Sequence, residues 1–498
     1  MKEGYIPKEK RKKVLGLFDD LRFASGISTM AREFVIGTSH QLNWTTIGGA
    51  INHPEKGKRL DLSDDTNKVA GITDSYVILY PTDGYGSQDL VRQVIEIEKP
   101  DILLCFTDPR YWVWLWQMEN EIRRKIPIAY LSLWDCPPAP LYNAPYYESC
   151  DLIMSISKQS KNLTNLVLGS TNNTEIIDLD AVKQTSTTEK PKVRVKYVPH
   201  GINDQVFHPI TEYMGQKYTS MQELRKGIFG KDNPEFVCFY NARNIRRKST
   251  SDLIAAWSTF TDSIGKERAS KCALLLHTNA IDENGTDLPA VIELLCDPSY
   301  QKVYINEDRL TPEDMNCLYN IGDVTALISS NEGWGLSLTE SMMAGKMIIG
   351  NVTGGMQDQM RFTDEDGKWI DFNENFCSNH FGTHKDCGEW ARPVFPSNSS
   401  IVGSIPTPYI FDDRCDIRDV AKAIEDVYNL SPEERSRKGM AGRTWAMSGE
   451  SNMSAKNMCQ GIYEGITETI EKFEPRAEFE LIKTGVLPRK KMPHPMFY

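Results

Sequence analysis

The chain has 498 residues, 40% of them hydrophobic, and a formal net charge of -11. That length exceeds what one hydrophobic core usually serves, so two domains are expected, and the apolar content is ample to fill both. No stretch approaches the roughly eighteen apolar residues of a membrane span, and Met1-Lys2-Glu3-Gly4-Tyr5 leads into charge rather than an apolar signal core, so the expectation is a soluble, unexported, cytoplasmic protein.

Val14-Leu15-Gly16-Leu17-Phe18 reads as the first strand, Asp19 to Gly26 as a loop, and about Ile27 to His40 as a helix. Strands near 43–48, 76–80, 101–106, 127–133, 151–156 and 193–198 alternate with helices, which predicts a doubly wound parallel sheet. The run Asp108-Pro109-Arg110-Tyr111-Trp112-Val113-Trp114-Leu115-Trp116 is unusually aromatic; a core helix is the favoured reading, ring stacking against a substrate the other. Asp178-Leu179-Asp180, the only D-x-D pattern, follows no convincing strand and reads as solvated loop.

A second alternating set begins near 236 and continues at about 273–278, 302–306, 323–328 and 347–350. Its first strand ends in Asn241-Ala242-Arg243, followed by Arg246, Arg247 and Lys248. Arg243 offers two donors in a fixed fork and Lys248 a compact charge, a combination suited to a diphosphate. The strand at 323–328 leads into Asn331-Glu332-Gly333-Trp334-Gly335-Leu336-Ser337-Leu338-Thr339-Glu340. Glycines clear side chains from a strand-to-helix turn, so amides at the positive end of a helix dipole can approach a phosphate or sugar oxygen while the glutamates take hydroxyls. After the next strand, Asn351-Val352-Thr353-Gly354-Gly355 is a second glycine-rich turn expected beside the first. Residues 361–410, rich in Asn, Ser, Pro and Gly, read as an insertion, 454–473 as a helix and 474–498 as a tail.

Together these motifs resemble those of family-4 retaining glycosyltransferases of the GT-B architecture: Arg243 with Lys248, Glu332 with Glu340, the Gly354-Gly355 pair, and Pro199-His200-Gly201-Ile202-Asn203 between the two halves. The resemblance covers roughly residues 14 to 470 and implies two Rossmann-like domains facing a cleft. These are an acceptor domain at 1–210 and a nucleotide-sugar domain at 211–450, with 451–498 forming a helix that crosses back and a tail. It implies that Glu340 binds the ribose of a nucleotide-sugar donor, with UDP-sugars favoured. Glu332 and the amides of Gly333, Trp334, Gly335, Leu336 and Ser337 would hold the transferred sugar, with Gly354 and Gly355 beside them. Arg243 and Lys248 would neutralise the diphosphate without a divalent metal or other catalytic cofactor. Gly26 is all that stands where the family has an N-domain glycine-rich loop, and base recognition would use backbone near Asn306 to Leu310.

One position departs from the family. Trp134 occupies the place of a histidine near the reacting sugar; Asp135 beside it is a candidate to bind a sugar hydroxyl or position the acceptor, or else caps the following turn. A nucleotide-sugar epimerase and a non-catalytic sugar-nucleotide binder are the alternatives on this fold. The aromatic block with Tyr142-Asn143-Ala144-Pro145-Tyr146-Tyr147 is similar to uncharacterised glycosyltransferases of large tailed phages. That resemblance implies 5-hydroxymethylcytosine in DNA as the leading acceptor, in a host cell's cytoplasm, with a glycan or small molecule as the other acceptor class. Basic groups for DNA stand at Lys8 to Lys13, Arg123-Arg124-Lys125 and Arg489-Lys490-Lys491. The eleven cysteines read as reduced core thiols. Cys377, His380, His384 and Cys387 form C-x2-H-x3-H-x2-C, compatible with a structural tetrahedral zinc, against the reading of a polar surface insertion packed on Phe376, Phe381 and Trp390.

Overall fold

Long apolar runs bounded by polar turns become strands buried on both faces. In a computed structural model describing residues 3–172, 193–372 and 382–477, they form two parallel sheets. The first contains β1 (Lys12–Asp19), β2 (Leu42–Gly49), β3 (Leu60–Asp61), β4 (Val77–Pro81), β5 (Ile102–Phe106), β6 (Ile128–Ser132), β7 (Leu152–Ser155) and β8 (Arg194–Tyr197). Its order is β3-β4-β2-β1-β5-β6-β7-β8, parallel except for the short edge strand β3. In β1, Val14 and Phe18 enter one core and Leu15 and Leu17 the other, all fully buried.

The second sheet contains β9 (Phe236–Asn241), β10 (Cys272–His277), β11 (Lys302–Asn306), β12 (Val324–Leu327), β13 (Met347–Asn351) and β14 (Ala391–Val394), in the order β11-β10-β9-β12-β13-β14. β15 (Pro396–Ser404) and β16 (Thr407–Cys415) form a separate antiparallel hairpin. The strand order reverses between β1 and β5 and between β9 and β12, which opens a crevice at each sheet's carboxyl end. The crevices face one another: a Cβ at Gly333, beyond β12, would lie 2.9 Å from the Leu133 carbonyl, beyond β6.

The helix Ala455–Lys472 lies against the first sheet unit, beside the helix Gly26–Thr38. Small residues permit the approach, since a Cβ at Gly37 would meet Cys459 Sγ at 2.4 Å and one at Gly465 would meet Met154 Sδ at 3.0 Å. Ile202 closes the crossing by donating its amide to the Met453 carbonyl and accepting the Ala455 amide, both at 3.0 Å. A second tie comes from Asp358. Its Oδ2 accepts the Lys158 amide, at the start of the helix Lys158–Asn172, and the Tyr197 hydroxyl, each at 2.9 Å. Of the aromatic run, Trp112 and Trp116 are buried, as the core reading expected, whereas Tyr111 is exposed. No helix among the described residues is long and apolar enough to cross a membrane. Asp178 and Asp180 lie outside the described residues.

A Cβ at Gly201 would lie 2.3 Å from the Ser454 carbonyl. Gly201→Ala is therefore expected to destabilise the protein by about 1–3 kcal/mol. Gly227→Ala, in the helix Gln216–Phe229 with nothing within 4 Å, is expected to stabilise it by about 0.5–1 kcal/mol. Denaturant midpoints of the two variants check the contrast.

Candidate active site

β12 ends at Leu327, and the chain crosses Ser329 to Glu332 before Gly335, at φ 85°, turns it into the helix Leu336–Met343. Only glycine adopts this left-handed geometry readily. The second turn lies directly against the first: a Cβ at Gly354 would fall 2.1 Å from the Glu332 carbonyl, and one at Gly355 2.1 Å from the Gly333 carbonyl. The Gly355 amide donates to the Glu332 carbonyl at 2.9 Å. Trp334 and Ser337 are buried, and Trp334 Nε1 donates to Thr339 Oγ1 at 3.0 Å. The amides of the helix's first turn have no acceptor within the helix itself.

Glu332 is buried and gathers three donors. Lys248 Nζ pairs with Oε1, Ser329 Oγ donates to Oε1 at 2.9 Å, and Arg247 Nη1 lies 3.3 Å from Oε2. Burial pushes this carboxyl up, but Lys248 and then Arg247 outweigh it and hold it down at about 2. The chain direction that aims both cations comes from the short turn Arg246–Lys248, which ends at Ser249 in a left-handed conformation, φ 53°. Arg247 Nη1 also donates to the Asn331 carbonyl at 2.9 Å, and the Arg247 carbonyl accepts the Ser330 amide at 2.7 Å. Arg243 points elsewhere: its guanidinium is mostly exposed and bonds Asp282, with Nε to Oδ2 at 2.7 Å and Nη2 to Oδ1 at 3.2 Å.

Glu340 stands apart from this cluster, one turn along the helix. Its Oε2 accepts the hydroxyl of Tyr319, and Tyr319 in turn accepts from Asn241 Nδ2 at 2.8 Å. Burial without a cation raises Glu340 to about 7, with the Tyr319 hydrogen bond opposing it. Beyond β11, Glu307, Asp308 and Arg309 are exposed, and Asn306 Oδ1 is 2.8 Å from His277 Nδ1.

The first sheet unit supplies the facing wall. A Cβ at Gly26 would lie 3.6 Å from Leu336 Cδ1, which brings the start of the helix Gly26–Thr38 opposite the glutamate turn. Trp134 is buried and donates through Nε1 to the Cys136 carbonyl at 2.9 Å. Asp135 Oδ1 accepts from the Cys136 thiol at 3.1 Å. Burial raises the Asp135 carboxyl, against the opposing pull of Arg247 and the Cys136 hydrogen bond, and Glu332 adds to the rise. His200 is buried between Phe106 and Trp334, and burial holds it neutral, at about 3.

The zinc expectation falls partly outside the described residues, since Cys377 and His380 are not among them. His384 and Cys387 are described, and burial pushes the Cys387 thiol up to about 11. Among the described residues no group of three or more His, Cys, Asp or Glu could hold a metal ion. Sequence reasoning missed Ser329, Tyr319, the distinct place of Arg247 among three adjacent cations, and a brace from the hairpin. In that brace Asn331 Nδ2 donates to Asp412 Oδ1 at 2.8 Å, Thr353 Oγ1 to Asp413 Oδ2 at 2.7 Å, and the Asp413 amide to the Ser330 carbonyl at 2.9 Å.

Comparison with known proteins places the fold. Residues 308–376 match the family model of glycosyl transferases group 1. The chain is 30% identical over 187 residues to the alpha-monoglucosyldiacylglycerol synthase of Acholeplasma laidlawii, covering 36% of this chain and 40% of that relative's length. Among solved structures it is similar to Alr3699/HepE of Anabaena in complex with UDP and glucose, with TM-score 0.60, 13% identity, and 92% and 100% of the two chains covered. It is equally similar to the sucrose-phosphate synthase of Thermosynechococcus elongatus, with TM-score 0.60, 12% identity, and 93% and 100% covered. The fold is therefore that of GT-B glycosyltransferases, and the chain carries a glycosyl transferases group 1 segment.

The depressed Glu332 carboxyl stabilises the fold above the ordinary glutamate range, and that contribution is lost as pH falls from about 4.5 towards 2. Lys248→Met, leaving the buried carboxylate with one cation fewer, is expected to destabilise the protein by about 3–5 kcal/mol near neutrality. The gap to the unaltered protein should narrow below pH 4. Adding Glu332→Leu to Lys248→Met should recover part of the loss, as denaturation at several pH values would show.

Proposed function

We propose that this GT-B chain is a glycosyltransferase that moves a sugar from a nucleotide-diphosphate sugar, a UDP-sugar by preference, to a hydroxyl acceptor with retention of anomeric configuration. The observation that carries the reading is the pair of glycine turns with Glu332 held between Lys248 and Arg247, opposite Gly26 and Asp135, and with Glu340 separate on the same helix. The similarity to a protein solved with UDP and glucose supports the choice of donor. In this reading residues 1–210 form the acceptor domain, 211–450 the donor domain with the insertion 361–410, and 451–498 the crossing helix and tail, a division supported by the separation of the two sheets.

Breaking the sugar–phosphate bond leaves positive charge on the anomeric carbon and negative charge on the departing diphosphate. Preorganised cations stabilise that charge more in the transition state than in the ground state. Lys248 and Arg247 are already aimed at the crevice. Arg243 reaches the diphosphate by leaving Asp282, a pairing in which the guanidinium is mostly exposed and the carboxylate is covered. With three cations available the reaction proceeds without a divalent metal. Glu332 and the amides from Gly333 to Ser337 hold the transferred sugar, Gly354 and Gly355 keep that turn in place, and Asp135 orients the acceptor hydroxyl. The acceptor enters on the face the diphosphate leaves, and a phosphate oxygen takes its proton, so no protein nucleophile takes part.

A sugar or glycan hydroxyl is the acceptor the geometry supports best. For 5-hydroxymethylcytosine in DNA, the stacked Tyr85 and Tyr111 rings, 4.4 Å apart, and the exposed Lys10 and Lys12 are in favour. Against it, Arg11 is buried on Asp74 at 2.8 Å and Arg123 on Asp151, so each basic group loses one arginine to an internal ion pair while Lys8, Lys13, Arg124 and Lys125 stay exposed, and Arg489 to Lys491 lie outside the described residues.

Nucleotide sugars screened with and without hydroxymethylcytosine DNA and simple glycosides, read as mass gained by the acceptor, test the reading; failure of every donor to turn over sinks it. Arg243→Ala is expected to lower kcat about 100-fold with a smaller change in donor KM. Because Glu340 sits at about 7 and ribose hydroxyls favour its ionised form, UDP affinity is expected to rise from pH 6 to pH 8, and Glu340→Gln to flatten that rise in calorimetric titrations.

A further inference from the structure

The hairpin β15–β16 belongs to neither sheet, yet four residues of β16, Tyr409, Phe411, Asp412 and Asp413, tie it to both sides of the crevice. The Phe411 amide donates to the Pro137 carbonyl at 3.1 Å, and the Tyr409 carbonyl accepts the Tyr142 hydroxyl at 3.3 Å, both on the first sheet unit. Asp412 and Asp413 bond the loop from Ser330 to Asn331 on the second. The hairpin therefore stands beside the Glu332 loop and the Trp134–Asp135 turn at once.

Its inner face continues a run of rings. Trp134 and Tyr142 meet with centroids 5.7 Å apart at 75°, and Tyr142 and Tyr409 at 5.0 Å and 62°. The Arg110 guanidinium, held by Asp108 at 2.8 Å, lies over the Trp134 ring at 5.9 Å. Tyr142, Tyr409 and Asp135 are all partly exposed. Successive rings meet edge to face and form a corner, not the parallel faces that sandwich a flat base. A corner of this kind suits a puckered pyranose, whose C–H faces lie on the rings while its hydroxyls reach Asp135 and Arg110.

We infer that the hairpin is the acceptor wall contributed by the second sheet unit, and that Tyr409, with Tyr142, selects a carbohydrate acceptor by packing against its sugar ring while the buried Trp134 holds Tyr142 in place. This rests on the donor reading above, and the wall's part is specificity, since Tyr409 touches the acceptor ring and not the bond that breaks.

The test uses the full chain and whichever UDP-sugar the donor screen selects, with p-nitrophenyl hexopyranosides and an oligonucleotide carrying 5-hydroxymethylcytosine as acceptors. Tyr409→Ala is expected to raise the ratio of acceptor KM to donor KM about tenfold for a hexopyranoside. Tyr409→Leu, which keeps bulk and removes the ring, should give the same rise, and Tyr409→Phe should stay near the unaltered protein. A ratio that moves less than about twofold in both ring-less variants, or transfer to the oligonucleotide and to no hexopyranoside, overturns the wall while leaving the donor reading intact. If the unaltered protein releases UDP from no UDP-sugar, the donor reading falls and this inference with it.

Discussion

The site depends on a buried carboxylate held between two cations. Glu332 lies on a turn with little room for side chains, and without Lys248 and Arg247 its charge would be expensive to bury. Both cations come from one short turn after β9, while Glu332 comes from the turn after β12, so the pairing holds two strand ends in register. The glycines at 354 and 355 add a third strand end, after β13, at a separation no other residue permits. These three strand ends are therefore held together by contacts within the chain, the preorganisation on which the proposed electrostatic role would draw.

Around that fixed centre the two carboxylates have opposite characters. Glu332 is ionised throughout the physiological range because cations surround it, whereas Glu340, with only a tyrosine hydroxyl and no cation, titrates near neutrality. Their spacing is that of one strand-to-helix turn; their difference comes from what other elements bring to each. The E-x7-E pattern alone cannot express that difference.

Much of this was legible in the sequence. Apolar runs such as Phe236 to Tyr240 gave the strands because buried parallel strands are apolar on both faces, and the glycines marked the two turns because few other residues adopt those geometries. The hairpin β15–β16 was not legible: its outer strand, Ser397-Asn398-Ser399-Ser400, is solvated and lacks the alternation that marks a half-buried strand. Arg247 could not be told from Arg246 because the left-handed Ser249 and the tight turn before it decide which cation faces the crevice. Arg123 looked like a basic surface group because its partner Asp151 meets it only in three dimensions, and the Tyr319 hydroxyl on Glu340 is hidden for the same reason.

Asp358 latches one sheet unit to the other. The helix that begins at Lys158 has its first amide closed by a carboxylate from the other half of the chain, and the same carboxylate holds the Tyr197 hydroxyl. Drawing the halves apart would exchange these two hydrogen bonds for bonds to water, at a net cost on the order of 0.5–1.5 kcal/mol each. Any separation of the two sheet units therefore works against a latch whose single carboxylate sits on the second unit and whose two catches sit on the first.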